Sequence, residues 1–137
     1  MPWNLYFCLA QYSQSLLLVY LQMQVGRMRA VGSAFQKIRG TTVVISVSPE
    51  ATAAVILQLA VDKHCACDSS LSRSTGYKLL YPDATLVQYI PGTVEEFTLA
   101  AYKAFIGKAY SKLILYICSE DEYLPCKLLL TFKTLTV

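Results

Sequence analysis

Six residues, Thr42-Val43-Val44-Ile45-Ser46-Val47, constrain this chain most, because they commit it to a strand and then, at once, to a helix. Side chains along a strand alternate between faces, so Val43, Ile45 and Val47 share one face and Thr42, Val44 and Ser46 the other. Ser48 then offers an oxygen as helix N-cap. Pro49 suits the first helical position, where its missing N–H costs nothing, and Glu50 lies at the positive end of the helix dipole. The helix is expected to run through Val61 to about His64, with Val55, Ile56, Leu59 and Ala60 as the stripe turned to the sheet. Leu57 and Val61 lie off that stripe, making the helix apolar over more than one face.

The flanking sequence extends this unit in both directions. Ala34-Phe35-Gln36-Lys37-Ile38 reads as a first strand, turned by Arg39-Gly40-Thr41 into the second, because glycine accepts the positive φ of a tight turn. Residues 1–25 show no clear period. Asp68 to Gly76, rich in serine, is a loop. Tyr77 to Tyr81 is a strand, Pro82-Asp83-Ala84 a turn into Leu86 to Ile90, and Pro91-Gly92 a second turn. Phe97 to Ile106 has a helical pattern and stops at Gly107. Leu113-Ile114-Leu115-Tyr116-Ile117 is a closing strand. Beyond Cys118 an acidic turn (Glu120, Asp121, Glu122) leads to Pro125, and Leu128 to Phe132 reads as a strand-like apolar tail. The expected division is an N-terminal extension (1–33), a domain (34–118) and a C-terminal tail (119–137).

At 137 residues the chain has room for one domain with terminal extensions. It is 55% hydrophobic and 15% charged, so core material is plentiful and the surplus must face partners or sit in the tails. The net charge of +3 is uneven. Arg27, Arg29, Lys37 and Arg39 make residues 1–40 a basic arm with no acid, whereas the remainder carries eight basic and nine acidic residues. Such an arm can attract phosphate, but a solvated connector accounts for it as well. Five cysteines at irregular spacing do not read as a disulfide framework, which favours a reducing cytoplasmic or nuclear setting. Residues 5–21 are apolar but interrupted by Gln11, Ser13, Gln14 and Ser15. No positive region precedes them, so neither a spanning helix nor a signal peptide is expected.

The order and wording of these segments resemble the ubiquitin-like β-grasp. Thr41 to Glu50 looks like the second strand and helix entry of ubiquitin-like domains, and Lys78-Leu79-Leu80-Tyr81 like their third strand. Thr98-Leu99-Ala100-Ala101-Tyr102 resembles their Thr-Leu-x-x-Tyr stretch, and Leu113-Ile114-Leu115-Tyr116 their last strand. The resemblance covers about residues 34–118. It implies an α+β fold in which a mixed sheet of roughly four to five strands packs on one main helix. Tyr-Pro-Asp, Ile-Pro-Gly, Phe-Thr-Leu and Tyr-Ser-Lys-Leu are also similar to ubiquitin-like segments of vertebrate HECT-ligase-related proteins. No HECT catalytic region is present, so no ligase activity is implied. A conjugatable modifier is not implied either: where such proteins carry a Gly-Gly tail, this chain continues Ser119-Glu120-Asp121-Glu122-Tyr123.

Period two also predicts a surface. If Leu79, Tyr81, Leu113, Leu115 and Ile117 point to the helix, then Lys78, Leu80, Ile114 and Tyr116 point away from it. They form a candidate partner-binding patch on the open sheet face, unless a terminal segment (Leu16 to Leu21 or Leu128 to Phe132) covers it. His64-Cys65-Ala66-Cys67 lacks the second ligand pair that zinc requires, so no metal and no cofactor are expected. One histidine, no nucleophile elbow and no phosphate loop give no catalytic constellation. The expectation is a non-catalytic protein–protein interaction module within the ubiquitin pathway by resemblance. Nucleic acid and membrane are not expected as partners. Alternatives are a phosphate- or nucleic-acid-binding domain using the basic arm, and a Ras-binding-like β-grasp adaptor that pairs its second-strand edge with a small GTPase.

Overall fold

The computed structural model describes residues 21–136, with side chains through Leu128. Cys8 and the apolar run from Leu16 to Tyr20 lie outside the described residues. The fold is α+β. Strands β1 (Leu21–Val31), β2 (Ala34–Val47), β3 (Tyr77–Leu80) and β4 (Ile114–Ser119) form one mixed sheet in the order β2-β1-β4-β3. Helices α1 (Ala53–Cys67), α2 (Leu99–Ile106) and α3 (Glu120–Thr136) complete it, with a single 3-10 turn at Tyr110–Lys112. β1 is antiparallel to β2 and parallel to β4, and β4 is antiparallel to β3. No helix among the described residues is long and apolar enough to cross a membrane.

Strand parity holds as expected from the sequence. Ile45, Val47, Leu79, Leu113, Leu115 and Ile117 are buried in the main core, joined by Met23 and Val25 of β1 and by Ile56 and Ala60 of α1. Tyr81, Phe97 and Tyr102 close one end of this core as three mutually packed rings, with centroids 5.2–6.2 Å apart. The Tyr81 hydroxyl donates to the Tyr89 carbonyl at 2.6 Å, and burial pushes its pKa up to about 12.

Leu86 to Ile90, expected as a strand, makes only isolated bridges, Leu86 to Leu80 and Tyr89 to Glu96. Four further expectations are corrected. The first strand is not Ala34 to Ile38 but Leu21–Val31, so part of what read as an N-terminal extension is a central strand of the sheet. Leu21 to Val25 does alternate apolar with polar, and pairing with both β2 and β4 turns Met23 and Val25 into the core.

Second, Arg39-Gly40-Thr41 does not separate two strands. It is a bulge inside the long strand β2: Val25 pairs with Val43 and Arg27 with Ile38, so Arg39, Gly40, Thr41 and Thr42 stand opposite Gly26 alone. Gly40 takes φ +75°, and the Thr41 hydroxyl donates to the Ile38 carbonyl at 2.7 Å, which folds the extra residues into a compact kink.

Third, α1 starts at Ala53 behind the N-cap Thr52, and not at Pro49. The carbonyls of Pro49 and Ala51 accept from the first amides of α2, Ala100 and Leu99, at 2.8 and 3.1 Å. Ser48 to Ala51 is thereby held as a turn. The later start also shifts the buried stripe to Ile56, Ala60 and His64, leaving Val55 and Leu59 partly in solvent.

Fourth, residues 120–136 are helical, so the tail expected as strand-like is α3. Three acidic residues in its first turn favour that end of the helix dipole. The other sequence-predicted helix end holds: α2 closes at Gly107 in a left-handed conformation, φ +76°.

Candidate interaction surfaces

Lys78, Leu80, Ile114 and Tyr116 do lie together on the sheet face away from α1, with Leu80 and Tyr116 directly paired across β3 and β4. The expected open patch is nevertheless covered. Leu80 is 0% and Tyr116 7% exposed, because with Met28, Cys118 and Tyr123 they form a second hydrophobic cluster against which Phe35 and Ile114 also pack. Tyr123 and Cys126 come from α3, so among the described residues α3 is a covering element.

The packing is specific at the centre of this face. A Cβ on Gly26 would stand 2.8 Å from the Tyr116 ring, so only glycine lets that ring lie flat on β1. Lys37 of β2 sits 5.2 Å from the centre of the same ring, a cation–π contact. The Phe35 and Tyr123 rings stack at 5.7 Å. Polar contacts fix the start of α3. Its first amide, Glu120, donates to Gly76 O at 2.8 Å. The Glu122 carboxylate accepts from the Ala30 amide at 3.2 Å and from the Ser119 hydroxyl at 3.3 Å. Lys78 pairs with Glu120 at 3.6 Å, so its charge is directed at α3. Burial pushes the Cys118 thiol up to about 12, with the Glu122 charge and Cys126 adding to it.

The basic arm proves to be the β1–β2 hairpin, and its charges diverge. Arg27 pairs with Asp68 at 3.1 Å, beside the C-terminus of α1. Arg29 donates to the Gln36 side chain at 3.3 Å, Lys37 lies on the opposite face over Tyr116, and Arg39 sits in the exposed bulge. A strip tracking a phosphate backbone needs its cations on one side, and these four do not share one.

His64 is 2% exposed and bonds the Val25 carbonyl through Nε2 at 3.0 Å, which requires the Nε2–H tautomer. Burial lowers its pKa, and the Arg27 charge acts the same way; the bond to Val25 and the Asp68 charge oppose them. His64 is therefore a neutral core residue tying α1 to β1. Cys65 is half-buried and Cys67 exposed. Among the described residues no three His, Cys, Asp or Glu side chains are grouped to hold a metal ion.

The accessible feature is one that side-chain parity did not indicate. β2 ends the sheet on one side, and among the described residues no strand pairs with its outer edge. A groove of about 430 Å³ runs along that edge between Val44, Ile45 and Ser46 of β2 and Leu59, Asp62, Lys63 and Ala66 of α1. Leu59 is 37% exposed and gives the α1 wall of the groove apolar surface. Set against models of protein families, against curated proteins and against solved structures, the chain matches none.

Proposed function

We propose that this chain is a non-catalytic ubiquitin-like β-grasp module that binds other proteins. The observation that carries this reading is the sheet itself. An N-terminal hairpin, a helix crossing one face, and a last strand inserted parallel to the first give the order β2-β1-β4-β3 expected of that fold. The Thr98-Leu99-x-x-Tyr102 segment supports it too, with Thr98 as a helix N-cap and both Leu99 and Tyr102 buried. That the chain enters α3 directly after β4 supports a binding module over a conjugatable modifier.

The docking element we favour is the free edge of β2 with its groove. Unpaired backbone groups of an edge strand accept an extended segment of a partner, and side-chain pockets beside it add specificity. Lys63 lines the groove, and Lys37 and Arg39 lie on the same strand, so the fitting partner strand carries acidic residues. Asp62 also lines the groove, with Arg73 paired to it at 2.9 Å. Within this class, a Ras-binding-like adaptor is the second reading. It is favoured by Arg39, exposed at the bulge of the edge strand β2.

Titrating isotope-labelled chain with GTP-loaded small GTPases and with acidic β-strand peptides tests both readings. Amide shifts should fall on Thr42 to Val47 and on Lys63, and Val44→Pro, which removes an edge N–H, should abolish them. Shifts restricted to α2 and the Pro82-to-Gly92 segment would sink the edge assignment. Binding to GTPases with acidic peptides ignored would select the second reading.

A further inference from the structure

We propose that α3 is a displaceable cover, holding within the chain a face of the sheet that receives an amphipathic helix of another protein once α3 lifts. This rests on the reading of the chain as a protein-interaction module and adds a regulated surface distinct from the β2 edge.

The face has the composition of a binding site. Met28, Leu80, Tyr116 and Cys118, edged by Phe35 and Ile114, are apolar side chains brought to one side by strand parity. Uncovered, they make a contiguous hydrophobic patch of the kind that marks interaction surfaces. α3 itself states the chemistry of a fitting ligand. It is a helix whose aromatic ring stacks on Phe35, preceded by a carboxylate that caps the Ala30 amide, with a small buried side chain three residues further on.

Three observations make α3 the layer most easily lifted. Among its described side chains only Tyr123 and Cys126 are buried, while Leu124 and Leu128 stand 52% and 60% exposed. Pro125 lies inside the helix, where it removes one backbone hydrogen bond and crowds the carbonyl four residues earlier. Finally, the polar contacts at its start are partly open to solvent, and the Lys78–Glu120 pair has side chains 35% and 42% exposed. α1, in contrast, is held by three fully buried positions and a buried hydrogen bond to β1.

The two buried cysteines report on the cover directly. In the intact chain, iodoacetamide labelling followed by peptide mass mapping separates the buried Cys118 and Cys126 from the half-buried Cys65 and the exposed Cys67. Lifting of α3 predicts that Cys118 and Cys126 react at one common rate, about ten-fold or more above that of global unfolding read from exchange of the Ile56 and Leu115 amides. Tyr123→Ala should raise that common rate about ten-fold further. Should that variant not fold, Glu122→Gln, which keeps the stacked ring, should raise it by a smaller factor. A fluorescent synthetic peptide of residues 119–136 should bind the variant about ten-fold more tightly than the unaltered chain, shifting the Leu80 and Tyr116 amides. Labelling of Cys118 only at the global unfolding rate would overturn the proposal, and so would fast labelling without peptide binding. Val44→Pro should leave the thiol rates unchanged, so a failure here and a failure of the β2-edge reading are separate results.

Discussion

Two side chains show how much of this molecule depends on single contacts. Gly26 is required because Tyr116 lies across it at a distance no Cβ tolerates. Gly26→Ala should destabilise the fold by about 1–3 kcal/mol in chemical denaturation, the usual cost of overpacking a filled site. His64 governs the response to acid. Its folded pKa is below 6.5, so the unfolded chain takes up its proton first as pH falls. The contribution of the neutral ring is therefore complete above pH 6.5 and is lost progressively below it, down to the folded pKa. Denaturation midpoints should decline as pH drops below 6.5, and His64→Gln should flatten that slope. Asp68 and Asp83 also have lowered pKa values, held down chiefly by hydrogen bonds from Ser70 and Thr85, but they titrate below 3.8, outside this window.

Among the elements, α2 is short enough for its N-cap to matter. Thr98 accepts from the Ala101 amide at 3.2 Å, and the helix places Leu99 and Tyr102 in the core. Thr98→Ala should cost about 1 kcal/mol of unfolding free energy, with Thr98→Ser recovering most of it. Elements whose pattern is local were legible in the sequence: the inward faces of β2, β3 and β4, the α2 stop at Gly107, and the grouping of Lys78, Leu80, Ile114 and Tyr116. Elements decided by tertiary partners were not. β1 carries Gln22, Gln24, Arg27 and Arg29 among its apolar residues, and only its place between β2 and β4 makes it a central strand. α3 holds Pro125, which locally argues against a helix, and an apolar run whose period does not decide between strand and helix; docking of Tyr123 and Cys126 supports the helix. Cover of the patch by a terminal segment was one of two outcomes the sequence left open, since period two assigns a face but not what lies on it.

At the scale of the molecule, one sheet serves two hydrophobic clusters, with α1 on one face and α3 on the other. β2 runs for 14 residues along an open side of that sheet, and a straight edge of such length would invite a second copy to pair along it. The kink at Arg39 to Thr42 divides it into two short stretches and sets an arginine at the break. Removing Gly40, Thr41 and Thr42, which leaves one residue opposite Gly26, should restore a regular ladder. The expected result is concentration-dependent association in light scattering that the unaltered chain does not show. If the β2 edge takes a partner strand as proposed, the four-residue bulge is expected to limit the pairing of that edge with a second copy of itself.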